Sequence, residues 1–375
     1  MKKKVTFLVL HLGYGGIETS VINTVNSLVK YYNVEIISFY NLKKNQVNMI
    51  DKKVTINYLY DGEPNKEELM RALHRFNIIK AVKEGKTSAS ILHKKKTLVI
   101  DAIKKCNSDF IVSTRMEFNV LLSKYGKSDV VKIAQEHCYH NHDIKYLDTI
   151  KTKYSNIDYL LALTTTLERD YKEVLKDNKH TRVITIPNML YTIPKDVSKL
   201  NRKNLITVSR LDTLKRNDDI IRAFSKIKDT DYTLTIIGDG KEKNNLKKLT
   251  KELSLNDRVI FTGYKTKEEI KEYMLNSNIF LMASETEGLP MVLLEAESYG
   301  IPCIAYEIEN GISDIIKDNY NGFIVKDRNE EEYVNRLEEL INDKEKLKLY
   351  GKNARESVMT FSKEEVTKKW LEILK

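Results

Sequence analysis

The feature that most constrains the fold of this chain is a repeated alternation of short apolar runs with segments of helical period. The runs lie at residues 5–10, 34–40, 110–113, 130–134, 160–163, 205–209, 234–237, 259–262, 279–282 and 303–306. Such alternation is typical of βαβ units, which build parallel sheets. The sequence therefore predicts an α/β fold, with the clearest pattern in the second half.

The length of the chain predicts two domains. At 375 residues it exceeds the size at which a single hydrophobic core usually stops growing. A polar stretch at about residues 191–203 interrupts the two series of strands and is the predicted linker. We therefore place one domain at residues 1–192 and a second at residues 203–358.

Composition favours a cytoplasmic protein. The three cysteines (Cys106, Cys138 and Cys303) are widely spaced and form neither a disulfide framework nor a CxxC pair. The apolar run that follows Lys2–Lys4 has only eight residues and no small-residue cleavage site, so a first strand explains it better than a secretory signal. The sequence contains no run of about 18 apolar residues, so no membrane-spanning helix is predicted.

The net positive charge of the chain comes entirely from its first half. Residues 1–196 contain 32 Lys+Arg and 21 Asp+Glu, a net charge of +11, whereas the other residues contain 31 and 32, a net charge of −1. Such a field favours anionic partners, although a solvated lysine-rich surface would have the same composition. Residues 66–105 are helical in pattern and basic, which fits a helix lying on a membrane surface or one covering a sheet.

The strongest motif is SETEGLPMVLLE at residues 284–295, which follows an apolar strand and opens a helix. Pro290 suits the first position of that helix, and Gly300 suits its end. A helix that begins at the carboxyl end of a parallel strand favours a phosphate there. Glu287 and Glu295 are too far apart around the helix to act as one pair, so each is suited to bind a separate hydroxyl-bearing group.

Two further loops predict anion contacts. In VSRLDTLKR at residues 208–216, Arg210 and Lys215 could clamp a diphosphate. In GYGGIE at residues 13–18, glycines allow backbone amides to approach an anion closely. This loop is neither a dinucleotide fingerprint nor a P-loop.

The segment QEHCYHNH at residues 135–142 has two interpretations. Its three histidines and one cysteine could suggest a metal site, but ligands packed so tightly on one loop rarely reach tetrahedral geometry. A polar loop in which His137 contacts substrate is the favoured interpretation, and no metal or other cofactor is predicted.

Taken in order, these motifs resemble the retaining glycosyltransferases of family four, of the group 1 type, whose GT-B fold consists of two facing Rossmann-like, doubly wound domains. The resemblance is strong from residue 205 to residue 325 and thins in the first half to the GYGGIE loop, the strand end at His137, and Ile186-Pro187-Asn188. It implies that a C-terminal helix at residues 361–375 crosses back to the first domain. It also implies that the first domain binds the acceptor and the second the nucleotide-sugar.

The resemblance also implies roles for matching residues. Glu287 would hold hydroxyls of the donor sugar, Glu295 the ribose, and Arg210 with Lys215 the departing diphosphate. His137 would lie beside the donor sugar. The other donor contacts would be Gly15, Gly16, Gly288, Leu289, Pro290 and Met291. This sequence departs from the family at residues 310–314, where Asp314 would have to replace the usual acidic residue.

The sequence thus predicts a metal-independent transferase of sugars from a nucleotide diphosphate-sugar, with UDP as the expected nucleotide. The acceptor would be a saccharide, a glycolipid or a wall polymer in bacterial surface-glycan synthesis, and the enzyme would be cytoplasmic or peripheral at an anionic membrane surface. A nucleotide-sugar 2-epimerase and a non-catalytic anion-binding module are the alternatives. The basic residues contain no recognisable nucleic-acid-binding motif.

Overall fold

The computed structural model describes residues 2–375, which form two compact units. Unit 1 consists of residues 2–162, 168–186 and 367–375, and unit 2 of residues 163–167 and 187–366. Each unit is built on one sheet in which all paired strands are parallel. The predicted α/β fold with two parallel sheets is therefore confirmed.

Unit 1 contains a seven-stranded sheet of order β3-β2-β1-β4-β5-β6-β7. The strands are β1 (Lys4–Val9), β2 (Asn33–Tyr40), β3 (Thr55–Tyr60), β4 (Phe110–Ser113), β5 (Val131–Gln135), β6 (Tyr159–Ala162) and β7 (Arg182–Thr185). The helices that follow them are α1 (Gly16–Leu28), α2 (Lys66–His74), α3 (Ile78–Lys105), α4 (Met116–Tyr125), α5 (Ile144–Lys153) and α6 (Thr165–Val174), of which residues 168–174 belong to this unit. The strand order reverses between β1 and β4.

Unit 2 contains a six-stranded sheet of order β10-β9-β8-β11-β12-β13. The strands are β8 (Asn204–Val208), β9 (Thr233–Ile237), β10 (Val259–Gly263), β11 (Ile279–Met282), β12 (Cys303–Tyr306) and β13 (Gly322–Val325). The helices are α7 (Asn217–Ser225), α8 (Lys243–Glu252), α9 (Lys267–Leu275), α10 (Met291–Ser298), α11 (Glu330–Asn342), α12 (Lys344–Ser357) and α13 (Lys363–Ile373), of which residues 363–366 belong to this unit. Here the order reverses between β8 and β11.

Three strands were not predicted, namely β3, β7 and β13. The first two are edge strands that are only partly buried, so their sequences lack a continuous apolar run. Strand β13 begins with Gly322, where a side chain would collide with the carbonyl oxygen of Cys303 on β12. Glycine is needed there for close strand packing, yet in the sequence it indicates a turn.

The last residues of the chain pack in unit 1. Trp370 is fully buried, and its ring lies 6.0 Å from the ring of Phe7 on β1. The hydroxyl of Tyr32 donates a hydrogen bond to the carbonyl oxygen of Leu374 at 2.6 Å. The C-terminal segment is thus part of the core that supports the first sheet. Among residues 2–375, no helix combines the length and apolar character that a membrane span requires.

We expect Trp370→Ala to lower the free energy of unfolding of unit 1 by about 3–5 kcal/mol, because a large cavity would open against β1. Denaturant unfolding followed by circular dichroism measures this change. Lys369→Ala, at an exposed neighbouring position, is the matched control and should unfold as the wild type does. Equal stability of Trp370→Ala and the control would show that the segment does not support the first sheet.

Candidate active site

The reversal of strand order in unit 2 defines a crevice at the carboxyl ends of β8 and β11. In open parallel sheets, ligands bind outside the carboxyl ends of the strands at such a point. The loop after β8 contains Arg210 and Lys215, and the loop after β11 contains Glu287. The two strongest sequence motifs therefore occupy the two sides of the predicted binding position.

The structure brings these two motifs into direct contact. The ammonium group of Lys215, in a 3₁₀ turn at Thr213–Lys215, lies 2.5 Å from a carboxylate oxygen of Glu287. Both side chains are mostly buried, with 18% of each exposed. The backbone N–H of Glu285 donates to the carbonyl oxygen of Leu214 at 2.8 Å. The loops are thus joined through both backbone and side chains.

The neighbouring arginines differ in what they contact. Arg210 is 79% exposed, and its guanidinium lies 3.2 Å from Asp212. Arg216 has left-handed backbone geometry, with φ of 47°, and its guanidinium lies 2.9 Å from both Asp219 and Glu285. Arg216 therefore fixes the two loops to each other, whereas Arg210 remains accessible to a ligand. The motif at residues 208–216 contains both arginines. The sequence alone does not show that Arg216 binds the other loop while Arg210 stays exposed.

The backbone of the EGLP loop is held by the loop after β12. The side-chain amide of Asn310 donates to the carbonyl oxygens of Glu287 at 3.1 Å and Gly288 at 2.5 Å. Gly311 has φ of 88°, and a Cβ there would lie only 2.9 Å from the carbonyl oxygen of Gly288. The sequence alone does not reveal this role of Asn310, because only tertiary structure brings the two loops together.

The start of α10 differs from the prediction at one residue. Pro290 is not the first helical residue, because its ψ of 89° places it just before the helix, which begins at Met291. Leu289 is buried beside it. A proline with φ of −73° still sets the direction of entry into α10. Gly300, with φ of 69°, follows the helix as predicted.

The three glutamates near α10 have different environments. Glu287 has its ion pair with Lys215, whereas the carboxylate of Glu295 has no hydrogen-bond partner among the described residues. Burial raises the pKa of Glu295, and the charge of Lys267 acts weakly in the opposite direction. Glu297, which was not predicted, is fully buried and accepts a hydrogen bond from Asn321 at 2.9 Å. Burial raises its pKa well above the ordinary range of a carboxyl group.

Asp314, which we expected to replace a family acidic residue, contacts the backbone. One of its oxygens accepts a hydrogen bond from the N–H of Thr165 at 2.9 Å. The other oxygen is buried and has no partner among the described residues. Asp314 therefore caps the first turn of α6 with one oxygen and keeps the other unpaired.

Unit 1 has its own cluster at the reversal of strand order between β1 and β4. Glu18, in the first turn of α1, lies 3.4 Å from His11 and 3.8 Å from Arg115, which follows β4. A side chain at Gly15 would collide with the carboxylate of Glu18, whereas the position above Gly16 is open. The sequence did not single out Arg115, although a basic residue directly after a buried strand is the signal that could have identified it.

His137 follows β5 of the same sheet. Both of its ring nitrogens are buried and have no hydrogen-bond partner among the described residues. Burial, together with the nearby charge of Arg115, lowers the pKa of His137 to about 4. The imidazole is therefore neutral at physiological pH and keeps both nitrogens available.

The residue before His137, Glu136, is a buried acid whose two carboxylate oxygens both accept hydrogen bonds. Glu136 accepts hydrogen bonds from the hydroxyls of Tyr146 at 2.6 Å and Tyr154, and from the amide of Asn119 at 2.8 Å. Burial raises its pKa, although the three donors act in the opposite direction. This network fixes the strand end from which His137 projects.

The remaining histidines of the loop have structural contacts. His140 is buried and lies 3.1 Å from Asp170, while its other ring nitrogen accepts from the N–H of His142 at 3.1 Å. Within residues 2–375, as far as their side chains are described, no group of three His, Cys, Asp or Glu could hold a metal ion.

The low pKa of His137 has a consequence for acid stability. As the pH falls from 6.5 to about 4, the unfolded chain binds a proton that the folded chain does not, so the free energy of unfolding decreases by about 3 kcal/mol. In His137→Gln this loss should be absent, which denaturant unfolding at a series of pH values measures. His93→Gln, at an exposed position, should behave as the wild type. A His137→Gln protein with the acid sensitivity of the wild type would show that the imidazole is solvated.

Comparison with known proteins agrees with this geometry. Residues 192–357, somewhat less than half of the chain, match the family model described as glycosyl transferases group 1. Over 380 aligned residues the chain is 28% identical to an uncharacterised glycosyltransferase of Haemophilus influenzae, covering 99% of this chain and 100% of that protein. It spans only 40%, 55% and 50% of three further relatives.

Solved structures are similar over the whole chain. The lipopolysaccharide outer core galactosyltransferase WaaB superposes with a TM-score of 0.77 at 21% identity, covering 99% of both chains. The Anabaena protein HepE in complex with UDP superposes with a TM-score of 0.77 at 18% identity, covering 100% of this chain and 99% of HepE. Residues 192–357 thus match the group 1 glycosyl transferase model, and the whole chain has the GT-B fold.

Proposed function

We propose that this protein is a retaining hexosyltransferase that transfers a sugar from a nucleotide diphosphate-sugar, with UDP as the nucleotide, to a saccharide, glycolipid or wall-polymer acceptor. We place it in the cytoplasm, in the synthesis of bacterial surface glycans. The observation that carries this proposal is the contact of Lys215 with Glu287 at the strand reversal of unit 2. The UDP complex of HepE and the lipopolysaccharide acceptor in the name of WaaB support the donor and acceptor classes.

The contact supplies opposite charges for the two parts of a donor. Lys215 has three N–H donors, so it can keep one bond to Glu287 and give another to a diphosphate oxygen. Arg210 is accessible for the same diphosphate. Glu287 then orients its free oxygen towards sugar hydroxyls, and Glu295, whose carboxylate is unpaired among the described residues, accepts from the ribose.

The backbone near α10 provides the remaining donor contacts in this proposal. The first N–H groups of a helix have no partner within the helix, and the helix dipole favours an anion there. Gly288, Leu289, Pro290 and Met291 line this approach. The contacts assigned to Gly15, Gly16 and His137 in unit 1 remain predictions from the family resemblance.

In the proposed reaction, the bond between the anomeric carbon and the diphosphate oxygen breaks while the acceptor oxygen bonds to that carbon from the same face. The proton of the acceptor hydroxyl passes to a diphosphate oxygen. This route needs no carboxylate nucleophile, unlike the double displacement of retaining glycosidases. Charge stabilisation by Arg210 and Lys215 would lower the barrier, because the leaving group gains negative charge in the transition state. With two cations assigned to this charge, turnover should persist in EDTA.

We expect the purified chain to hydrolyse one nucleotide-sugar slowly in EDTA and to transfer that sugar when an acceptor is added. UDP-glucose, UDP-galactose, UDP-N-acetylglucosamine and GDP-mannose are the donors to offer, and release of the nucleotide diphosphate is the readout. Glu287→Ala should lose the activity. A change of the donor into its epimer without any acceptor would identify the epimerase alternative. No turnover together with no thermal shift by any nucleotide would favour the anion-binding module.

Lys215→Ala should lower kcat about 10²–10³-fold, or about 2–4 kcal/mol in the barrier, by removing a cation from the leaving group. Arg210→Ala should act in the same direction. Lys226→Ala is the matched control, because Lys226 is an exposed lysine of unit 2 whose ion pair is with Glu330. Normal turnover by Lys215→Ala and Arg210→Ala would contradict the assignment of the two cations.

A further inference from the structure

The connection between α2 and α3 in unit 1 exposes an unusual number of large apolar side chains. We call this group the apolar tip; it consists of Met70, Leu73, Phe76, Ile78, Ile79 and Val82, which are 44–90% exposed. Single exposed apolar residues are normal on soluble proteins, but a contiguous group of them marks an interaction surface. The apolar tip therefore requires a partner.

Hydrogen bonds of Asn65 hold the hairpin that presents the tip at its base. The side-chain amide of Asn65, before α2, donates to the carbonyl oxygen of Glu84 at 3.0 Å, and its oxygen accepts from Ser88 at 2.9 Å. The buried residues of α3 are Ile91, Val99 and Ile103, and its residues before Ile91 are not buried. The two alternatives left by the sequence thus apply to different parts of one helix, because the part from Ile91 onward covers the core and the part before it does not.

The most exposed residue of the tip is held in an uncommon conformation. Phe76 has φ of 50° and is 90% exposed. A bulky residue is disfavoured in the left-handed region, since its Cβ crowds the following carbonyl group. The N–H of the next residue, Asn77, donates to the carbonyl oxygen of Ala72 at 3.1 Å, which closes the turn around Phe76. The turn therefore projects this aromatic ring outward at a conformational cost.

The charges beside the tip are almost all positive. Residues 70–86 contain the five basic residues Arg71, Arg75, Lys80, Lys83 and Lys86 and one acidic residue, Glu84, a net charge of +4. At about 100° per residue, Ile78, Ile79 and Val82 lie within an arc of about 100° on α3. Lys86 lies within that arc, Lys83 borders it, and Lys80 lies further around the helix. Apolar side chains flanked by cations are the pattern of a helix that lies in a membrane interface.

We propose that the apolar tip docks this chain onto an anionic phospholipid bilayer, with the apolar side chains entering the interface and the flanking cations binding lipid headgroups. A second copy of the chain is a poorer occupant, because a symmetric contact through the tip would bring two groups of +4 charge together. The proposal goes beyond the transferase function and does not depend on the identity of the donor or acceptor.

Co-sedimentation with vesicles tests the proposal. The full chain should bind vesicles of phosphatidylcholine with phosphatidylglycerol, and bind vesicles of phosphatidylcholine alone much more weakly. Phe76→Ser combined with Ile79→Ser should lower the partition coefficient at least about tenfold, because two large apolar groups no longer leave water. The matched control is Tyr264→Ser with Leu349→Ser, two exposed apolar residues of unit 2, and it should bind as the wild type does.

Phe76→Trp adds a positive readout of insertion. The only tryptophan of the chain, Trp370, is buried, so the emission of the wild type should not respond to vesicles, whereas the variant should shift to shorter wavelength. Unchanged binding by the Phe76→Ser/Ile79→Ser protein, or no shift in Phe76→Trp, would overturn the proposal. So would self-association that depends on Phe76 in the absence of lipid.

Donor hydrolysis separates this proposal from the transferase function. The Phe76→Ser/Ile79→Ser protein should hydrolyse donor in solution at the wild-type rate. A chain that hydrolyses donor but does not bind anionic vesicles would overturn the docking surface alone. A chain that binds them through the tip but hydrolyses no donor would overturn the transferase function alone.

Discussion

Both sheets of this chain are parallel, and this one constraint determines where its chemistry can lie. Successive parallel strands must be joined by crossovers, so every loop that leaves a carboxyl end reaches the same edge of the sheet. In unit 2 this brings together Lys215 and Glu287, which are 72 residues apart in the sequence. Asn310 reaches the same place from the next strand. The backbone of the site is assembled by topology before any ligand is present.

The buried acids Glu136 in unit 1 and Glu297 in unit 2 have very different hydrogen-bond environments. Glu136 has two tyrosine hydroxyls and one amide as donors, so its position is fixed by hydrogen bonds to both oxygens. Glu297 has one amide donor, and its second oxygen is buried without a partner among the described residues. Because desolvation penalises the charged form, Glu297 favours the protonated state, which would place a hydrogen on that second oxygen.

Sequence alone predicted the elements whose signal is local. Continuous apolar runs identified the buried strands. Pro290 identified the start of α10 to within one residue, and Gly300 identified its end. The edge strands β3 and β7 were missed because partial burial gives no continuous apolar run. The anchoring role of Asn310, the fixation of loops by Arg216 and the division of α3 into a covered and an uncovered part depend on contacts between distant segments. No window of sequence contains that information.

Asn310 holds the EGLP loop because its side-chain amide donates hydrogen bonds to the backbone carbonyl oxygens of Glu287 and Gly288. Every amino acid has the same backbone carbonyl group, so these two hydrogen bonds do not depend on the identity of the side chains at residues 287 and 288. Substitutions of side chains in this loop can therefore alter what it recognises while this backbone anchor is kept. The anchor itself requires the amide of Asn310 and, at Gly311, a residue without a Cβ close to the carbonyl oxygen of Gly288.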